Sequence, residues 1–299
     1  MGQANVGKST LLAALLGEDL SPRRNGPCTA APIEFSWGPD YRIEAHYRRT
    51  FQRPVWSCLN AADVLRHLVR LADEAECEAR ERPARIRVQV PLSLLETGLV
   101  IADTPGFGAA QSEPGCEGTH EESLRRYLVT EVSQVLWVVL AEAGIGKREQ
   151  LFHEEFLAAV CDDVVVTGCD DWSEGDQQRF RRRFSPTLGL QSPEFHFVSG
   201  RQALRARLVH DNVGLEAAGI PDLERRIRDM ANTDARIQAL TRRMTVLCQN
   251  LGAWFNDYRD ARREPLRTWW RPDSWSRWTE LPRCSFKTQL DEVLQQGAT

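Results

Sequence analysis

The feature that most constrains this chain stands at its start, where a glycine-rich loop runs straight into an apolar helix. Residues Gly2–Ser9 fit the phosphate-loop pattern of a glycine, four residues and then Gly-Lys-Ser. Gly2 and Gly7 let the backbone curl so that successive N–H groups face one anion, and the helix N-terminus adds its positive field. Lys8 is expected to reach the outer phosphates and Ser9 to hold Mg²⁺. The loop therefore predicts a P-loop NTPase fold.

The same loop pattern also occurs in glycine-rich turns that only cap a helix. Lysine usage favours phosphate binding, because the chain has 38 basic residues and only three of them are lysines, at positions 8, 147 and 287. A sequence that uses arginine for nearly all its positive charge has kept lysine in this loop. We therefore interpret the loop, with Thr10 beside it, as a nucleotide contact. The arginine bias itself is typical of a GC-rich bacterial genome.

Length and composition exclude several classes of protein. At 299 residues the chain can hold one large domain, or one domain with an appendage. The formal net charge of −4 gives no case for a nucleic-acid partner. The longest strongly apolar run, Val135–Ala141, is too short to span a bilayer, and the phosphate loop stands where a signal peptide would. The eight cysteines include no Cys-x-x-Cys pair, which favours reduced thiols in a cytoplasmic protein.

Strands and helices alternate over the first 220 or so positions, which predicts an α/β three-layer sandwich with a mainly parallel sheet covered on both faces. The segments Ile33–Trp37 and Tyr41–Tyr47 flank Gly38-Pro39-Asp40 and are predicted to form a hairpin. Further strands are predicted at Ile86–Val90, Leu99–Ala102, Val135–Ala141, Val164–Val166 and Phe195–Val198. Helices are predicted at Leu11–Leu16, Ala61–Arg82, Glu121–Val132, Arg148–Val160 and Gln177–Phe184.

From Ile220 onward the pattern is helical only. Seven apolar residues between Ile237 and Tyr258 are spaced alternately three and four apart, which is a heptad seam three repeats long. We therefore divide the chain into a nucleotide-binding domain over residues 1–228 and a short helical bundle segment with a Trp/Arg-rich tail over 229–299. The aromatic residues of that tail suit a core or a partner surface, and contact with lipid headgroups at the inner membrane face is the alternative.

A second nucleotide motif, Asp103-Thr104-Pro105-Gly106, follows an apolar strand. Asp103 is expected to hold the Mg²⁺ shell through water, and the Gly106 N–H to sense the γ-phosphate. The alternative is a plain turn, but the position after a buried strand in a chain with a phosphate loop favours function. Thr29, in the loop after the first helix, is a candidate for a second Mg²⁺ contact when a triphosphate is bound.

A third motif, Thr167-Gly168-Cys169-Asp170, stands where a base-reading Asn/Thr-Lys-x-Asp motif is expected. The Asp170 carboxylate can accept the N1 and 2-amino hydrogens of guanine, which adenine does not offer, so GTP is the predicted nucleotide. Gly168 stands in place of lysine, and the plain reading is a strand that ends in a polar turn. Ser199-Gly200-Arg201 is the candidate to contact the base through its backbone.

The order and spacing of these motifs resemble the dynamin-like GTPase family, especially its bacterial members, from Gly2 to about Asp229. A stretch of 73 residues between Thr29 and Asp103 is much longer than in Ras-like or Era-like GTPases. Val90–Glu96 and Gly219–Glu224 also resemble the family, whereas the sequence of residues Asn5–Ser9 is closer to that of Era-like GTPases.

The resemblance implies a GTPase that hydrolyses GTP when two GTPase domains meet face to face, so self-association is expected. Phe107 stands where Ras-type enzymes carry glutamine, which suits this family. Family members with asparagine at the position of Asn5 are expected to hold a monovalent cation, here K⁺, beside the phosphates. The resemblance thus assigns catalysis to Lys8, Asn5 and Thr29.

Three features depart from the family pattern. The strand that normally precedes the loop is missing before Gly2, which suggests a misassigned start codon or a gene fragment. Gly168 replaces the lysine, and the helical segment covers only the beginning of a stalk. A degenerate nucleotide-binding interaction module without significant hydrolysis is therefore the alternative function.

Overall fold

The computed structural model describes most of the chain up to position 255. The described residues are 1–3, 5–22, 31–47, 53–77, 83–104, 124, 127–128, 131–157, 160–161, 163–188, 193–232, 234–235, 237–241, 244–245, 248–249, 251–253 and 255. The strands are β1 (Ile33–Trp37), β2 (Tyr41–His46), β3 (Val55–Cys58), β4 (Arg85–Val90), β5 (Ile101–Asp103), β6 (Leu136–Leu140), β7 (Asp163–Thr167) and β8 (Glu194–Val198). The α-helices are α1 (Lys8–Leu16), α2 (Ala61–Cys77), α3 (Lys147–Phe152), α4 (Glu174–Phe184), α5 (Gly200–Leu208), α6 (Asn212–Ala217) and α7 (Ile220–Ala231).

The strands form two sheets, and the α/β fold class is confirmed. One sheet has five strands in the order β3-β2-β4-β1-β5, and the other has three in the order β6-β7-β8. The three-stranded sheet is entirely parallel, whereas the five-stranded sheet is mixed, with β1 and β4 parallel and its other pairs antiparallel. All five residues of β7 are buried, as expected for a central strand covered on both faces.

The predicted hairpin of β1 and β2 is wrong. Strand β4 lies between them, and it pairs in parallel with β1 (Ile33 opposite Ile86) and antiparallel with β2 (Ile43 opposite Val88). The alternating residues of β4 bury one apolar face, and the central position also satisfies both of its backbone edges. The outer edge of β2 pairs with β3, a strand that was not predicted.

The other predicted elements that the structure describes lie close to their predicted positions, whereas α5 and α6 were not predicted. The helix predicted at Arg148–Val160 is α3 followed by a π-helical turn, His153–Leu157. The helix predicted at Glu121–Val132 falls mostly outside the described residues. Short 3₁₀ turns occur at Ser93–Leu95 and Ser185–Leu188.

Helix α1 joins the two sheets. Every residue from Leu11 to Leu16 is buried, so the helix has no solvent face over that length. Leu12 and Leu16 belong to the core of the five-stranded sheet, whereas Leu11 and Leu15 belong to a core shared with β6, β7, β8 and α7. The helix that begins at the phosphate loop is therefore fixed by both halves of the structure.

The first residue of the chain runs beside β6. The Met1 backbone nitrogen donates to Leu136 O at 2.6 Å, and Val138 N donates to Met1 O at 2.5 Å. Between the β5 and β6 edges lies a cavity of about 440 Å³, whose lining includes Leu11, Ile101 and Leu136. Burial lowers the pKa of the Met1 ammonium to about 5, with Lys8 adding to the shift. A charged group is thus disfavoured at this point.

Three of the four described residues of the predicted heptad seam are exposed. Ile237, Leu240 and Met244 each expose more than half of their surface. The other seam positions are half-buried at Leu251 or lie outside the described residues, as does the Trp/Arg-rich tail. Within the described ranges, no helix combines the length and the apolar character needed to cross a bilayer.

Candidate functional site

The loop before α1 has the backbone of an anion cradle. Asn5 and Gly7 adopt left-handed conformations, with φ of 63° and 85°. Gly7 is the N-cap of α1 and supplies no side-chain cap, so the first N–H groups of the helix are open to an anion. At Gly2 a Cβ atom would stand 2.1 Å from Val138 O, so only glycine fits there.

Lys8 projects from the first turn of α1 back over this loop. Its Nζ lies 2.5 Å from Gln3 O and 3.3 Å from Gly2 O, and it donates to both carbonyls. Burial lowers the pKa of Lys8, while the negative charge of Asp103 acts in the opposite direction. A phosphate group bound beside Lys8 would favour its charged form.

Asp103 and Ser9 meet at the end of β5. The Ser9 hydroxyl donates to Asp103 Oδ2 at 3.1 Å, and the Ser21 hydroxyl donates to the same oxygen at 2.5 Å. Asp103 is 6% exposed and forms no ion pair with any described residue. A buried carboxylate beside a hydroxyl is a donor set of hard oxygen atoms, which is the kind that Mg²⁺ prefers. These residues therefore fit the predicted metal.

Thr167 supports the phosphate loop from β7. Its hydroxyl lies 2.6 Å from Val6 O and 3.2 Å from Val139 O. Thr167 was predicted as a nucleotide contact, and the structure places its hydroxyl on the loop backbone instead of leaving it free for a base. The end of β7 thus holds the loop in register with the sheet.

The predicted base-reading residues come together where β7 and β8 end. The Ser199 hydroxyl donates to Asp170 Oδ1 and also caps α5 by accepting from Gln202 N at 3.2 Å. The Gln202 side chain donates to Asp170 O at 3.3 Å. Ser199, predicted to act through its backbone, thus orients the Asp170 carboxylate through its side chain.

Gly168 has a physical reason to be glycine. Its φ is +72°, a backbone conformation that residues with a side chain rarely adopt. A Cβ atom at this position would stand 2.8 Å from Leu140 Cδ1. The absence of the expected lysine therefore goes with a local backbone and a packed leucine that favour glycine.

The two halves of the predicted site are adjacent. A Cβ atom at Gly200 would stand 3.3 Å from the Thr10 methyl group, so the start of α5 packs against the first turn of α1. Gly7, Lys8, Ser9 and Asp103 form the predicted phosphate end, and Asp170 with Ser199 forms the predicted base end. The predicted contacts Thr29 and Gly106, and Phe107, lie outside the described residues.

Sequence reasoning missed two contributors. Ser21 follows Leu20 in a loop where no motif marks a serine, and its role depends on a residue 82 positions away. Gln202 stands three residues after the Ser199 cap, at a helix position whose side chain often reaches back. Only Gln202 could have been found from a local sequence pattern.

Acidic and histidine side chains also meet at the opposite end of β7 and β8. Asp163, Glu194 and His196 lie close enough to share a metal ion. The Arg226 guanidinium, however, binds both Asp163 oxygens, at 2.8 and 3.0 Å, and His196 Nε2 lies 2.8 Å from one of them. Burial raises the pKa of Asp163, but bonds from His196 and Arg226 outweigh it and the net shift is downward. This cluster is an ion-pair network.

The comparisons with known proteins agree on one protein family. The model of the Dynamin family matches residues 1–159, more than half of the chain. A curated relative, the bacterial dynamin-like protein of Nostoc punctiforme (strain ATCC 29133 / PCC 73102), is 25% identical over 249 residues. The match covers 74% of this chain and 34% of that protein, so the chain spans about a third of the relative's length.

Two solved structures share the fold. Both are of an oligomerised bacterial dynamin pair, described as a mechanism for the long-range sensing and tethering of membranes. The first has a TM-score of 0.59 at 16% identity and covers 99% of this chain and 45% of its own. The second has a TM-score of 0.54 at 17% identity and covers 87% of this chain and 50% of its own.

Proposed function

Because the chain belongs to the dynamin family, whose members are GTPases, we propose that it binds GTP with Mg²⁺ and hydrolyses it to GDP. The observation that carries the proposal is the contact between Ser9 and Asp103, at 3.1 Å, beside the open N-terminus of α1. The phosphate loop and the strand-end carboxylate, predicted as separate motifs, form one site.

The phosphate end supplies binding and charge stabilisation. The N–H groups of the loop and of the first turn, at Gly7, Ser9 and Thr10, would bind the phosphate oxygens, and Gly2 permits the close backbone approach. Lys8 would transfer its hydrogen bonds from the Gln3 and Gly2 carbonyls to the β- and γ-phosphates. A charge-assisted bond of this kind strengthens as negative charge moves toward the leaving oxygen.

Ser9, Thr29 and Asp103 are the residues that would hold Mg²⁺. The ion, when bound, neutralises charge on the β- and γ-phosphates. Ser9 would contribute its hydroxyl oxygen to the ion while its O–H continues to donate to Asp103, as it does in the structure. Thr29 and the Gly106 N–H would complete the triphosphate-bound arrangement.

Guanine selection is assigned to Asp170, with Ser199 as its support. The Ser199 hydroxyl fixes one carboxylate oxygen, so the carboxylate is oriented before the base arrives. Thr167 acts indirectly, by holding Val6 and hence the loop. Gly168 offers no stem to pack on the purine, so a weaker base contact than in a lysine-bearing site is expected.

Hydrolysis is proposed to need self-association through the GTPase face. No glutamine follows the Asp103 motif, since Phe107 stands there, so the missing charge must be supplied by another group. Asn5, exposed in a left-handed loop position, is the residue we assign to hold K⁺ beside the phosphates. A cytoplasmic protein with peripheral membrane contact is consistent with the reduced thiols of Cys58, Cys169 and Cys248 and with the membrane tethering described for the structural relatives.

A second candidate is a nucleotide-binding interaction module without significant hydrolysis. Gly168 favours it, since its conformation and the packed Leu140 leave no room for the expected side chain.

Single-turnover hydrolysis separates the two candidates. The full chain is mixed in excess over labelled GTP or ATP with Mg²⁺, at several protein concentrations. The GTPase proposal predicts GDP formation that is faster with GTP than with ATP and that rises more than proportionally with protein concentration. Nucleotide binding without product formation at any concentration would favour the interaction module.

A further inference from the structure

Ser21 lies in the short loop that follows α1, and its side chain is almost completely enclosed. The residue is 1% exposed, and its hydroxyl donates to Asp103 Oδ2 at 2.5 Å. No nucleotide motif includes this position. The hydroxyl is therefore a buried polar group whose described partner is the carboxylate assigned to Mg²⁺.

The two serines approach the same oxygen from different elements. Ser9 reaches Asp103 Oδ2 from the first turn of α1, and Ser21 reaches it from the loop beyond the other end of that helix. Among the residues that the structure describes, none donates to Oδ1. Two donors on one oxygen fix the rotation of the carboxylate, because turning it would break both charge-assisted bonds.

A fixed carboxylate matters for this metal in particular. Mg²⁺ demands near-ideal octahedral geometry and tolerates little misplacement of the groups that hold its water shell. Residues that orient a metal-binding carboxylate without touching the ion typically affect metal affinity 10- to 100-fold. When the Ser9 hydroxyl oxygen also contacts Mg²⁺, the bond from Ser21 remains a contact to Asp103 that involves no metal-binding side chain.

We infer that Ser21 is a positioning residue that holds the Asp103 carboxylate in the orientation required by the Mg²⁺ of the nucleotide complex. The inference rests on the proposed function, since it presupposes that Asp103 serves Mg²⁺. It adds a residue outside the recognised motifs. Ser21 also ties the loop that follows α1 to the end of β5.

The test measures Mg²⁺ dependence of nucleotide release, not hydrolysis. The full chain is loaded with a fluorescent GDP analogue, and its dissociation into excess GDP is followed over a range of free Mg²⁺ concentrations. Ser21→Ala is compared with wild type and with Ser36→Ala, a control in β1 whose half-buried hydroxyl lies three residues along the strand from Ile33, the residue paired with Asp103. Ser21→Thr keeps the hydroxyl, and Ser21→Cys keeps the size with a weaker donor.

Ser21→Ala is expected to raise the Mg²⁺ concentration that gives half-maximal slowing of release by about tenfold. Release without Mg²⁺ should match that of wild type and Ser36→Ala, and the melting temperature of the nucleotide-free chain should fall only by the small amount expected for one lost hydrogen bond. Ser21→Thr should restore the wild-type Mg²⁺ dependence, with Ser21→Cys between the two. If threonine is too large for the site, the same test is provided by Ser21→Cys, whose Mg²⁺ dependence should lie between those of wild type and Ser21→Ala.

Three results would overturn the inference. Wild-type Mg²⁺ dependence in Ser21→Ala would remove Ser21 from the metal's surroundings while leaving the proposed function intact. Faster release by the same factor with and without Mg²⁺ would show a general structural role. No effect of Mg²⁺ on the wild-type chain would overturn the proposed function and this inference together.

Discussion

The Ser9 hydroxyl donates a 3.1 Å hydrogen bond to Asp103, although 94 positions separate the two residues in the chain. The bond joins the first turn of the helix after the phosphate loop to the last residue of β5. Because α1 is buried against both sheets, this relationship depends on the whole fold and not on a local turn. Ser9 and Asp103 are thus held where one cation can serve both.

Replacing Asp170 by asparagine should weaken the preference for guanine. An amide offers only one acceptor atom, so it cannot accept both guanine hydrogens, but it can donate to the 2-oxygen of xanthine. We expect GTP affinity to fall roughly 10- to 100-fold, the cost of a lost charge-assisted pair, with XTP favoured relative to GTP. Competition between GTP and XTP for the full chain measures the change. Asp171→Asn is the matched control, and an unaltered ratio in Asp170→Asn would remove Asp170 as the base reader.

Hydrolysis should respond to the identity of the monovalent cation. If Asn5 holds K⁺ beside the phosphates, exchanging Na⁺ for K⁺ at constant ionic strength should raise the single-turnover rate by about tenfold, since one preorganised charge contact is gained. Asn5→Ala should lose this response while still binding GTP. Equal rates in the two salts, with hydrolysis present, would assign the missing charge to another group.

The exposed seam after α7 is proposed to couple activity to assembly. Truncation before Asp234 should leave GTP binding largely intact, because the proposed nucleotide contacts precede it, but should remove the rise of specific activity with protein concentration. In the full chain, Leu240→Glu should have the same effect, since the leucine side chain is 55% exposed and available to a partner. Gln249→Glu is the control. An unchanged concentration dependence would assign dimerisation to the GTPase faces alone and would argue against coupling by residues 229–299.

The ion pair between Arg226 and the buried Asp163, at the start of β7, should be important for stability. Arg226→Met leaves the Asp163 carboxylate, 2% exposed, without its bidentate partner, and should lower the free energy of unfolding by about 3 kcal/mol at pH 7. Arg225→Met is the control, because its ion pair with Asp222 is exposed and such pairs contribute about 0–1 kcal/mol. Denaturant melts of the full chain measure both variants.

The pH dependence of that loss has a definite sign. The pKa of Asp163 is lowered from 3.8 in the folded chain, so its stabilisation is complete above pH 3.8 and disappears as the pH falls through the lowered value. In Arg226→Met the pKa of the same carboxyl should be raised. As the pH falls, Asp163 is therefore protonated at a higher pH in the variant than in wild type, and protonation removes the unpaired buried charge. The difference between Arg226→Met and wild type should therefore shrink as the pH is lowered from 7 toward 4. If the difference in the free energy of unfolding stays constant over this range, Arg226→Met destabilises the chain through lost packing contacts and not through the lost ion pair.

The sequence predicted the α/β fold and most strands because apolar periodicity is local. It also predicted that Asp103, Asp170 and Ser199 follow strands, and the structure places them at strand ends. The order of the strands was not predictable in the same way: the segments β1 and β2 look alike whether they pair directly or around β4. Ser21 was missed for a similar reason, since its hydroxyl has meaning only once Asp103 lies beside it.

Calorimetric titration of the full chain with GTP and ATP in Mg²⁺ tests the central claim most directly, with Lys8→Ala as the paired variant. The account predicts one-site binding that favours GTP over ATP. It also predicts a roughly 100-fold or greater loss in Lys8→Ala, because Lys8 makes the charge-assisted contact with the β- and γ-phosphates. Circular dichroism and the melting temperature should show that the variant remains folded. Wild-type GTP affinity in a folded Lys8→Ala chain, or the absence of GTP binding by wild type, would contradict the account.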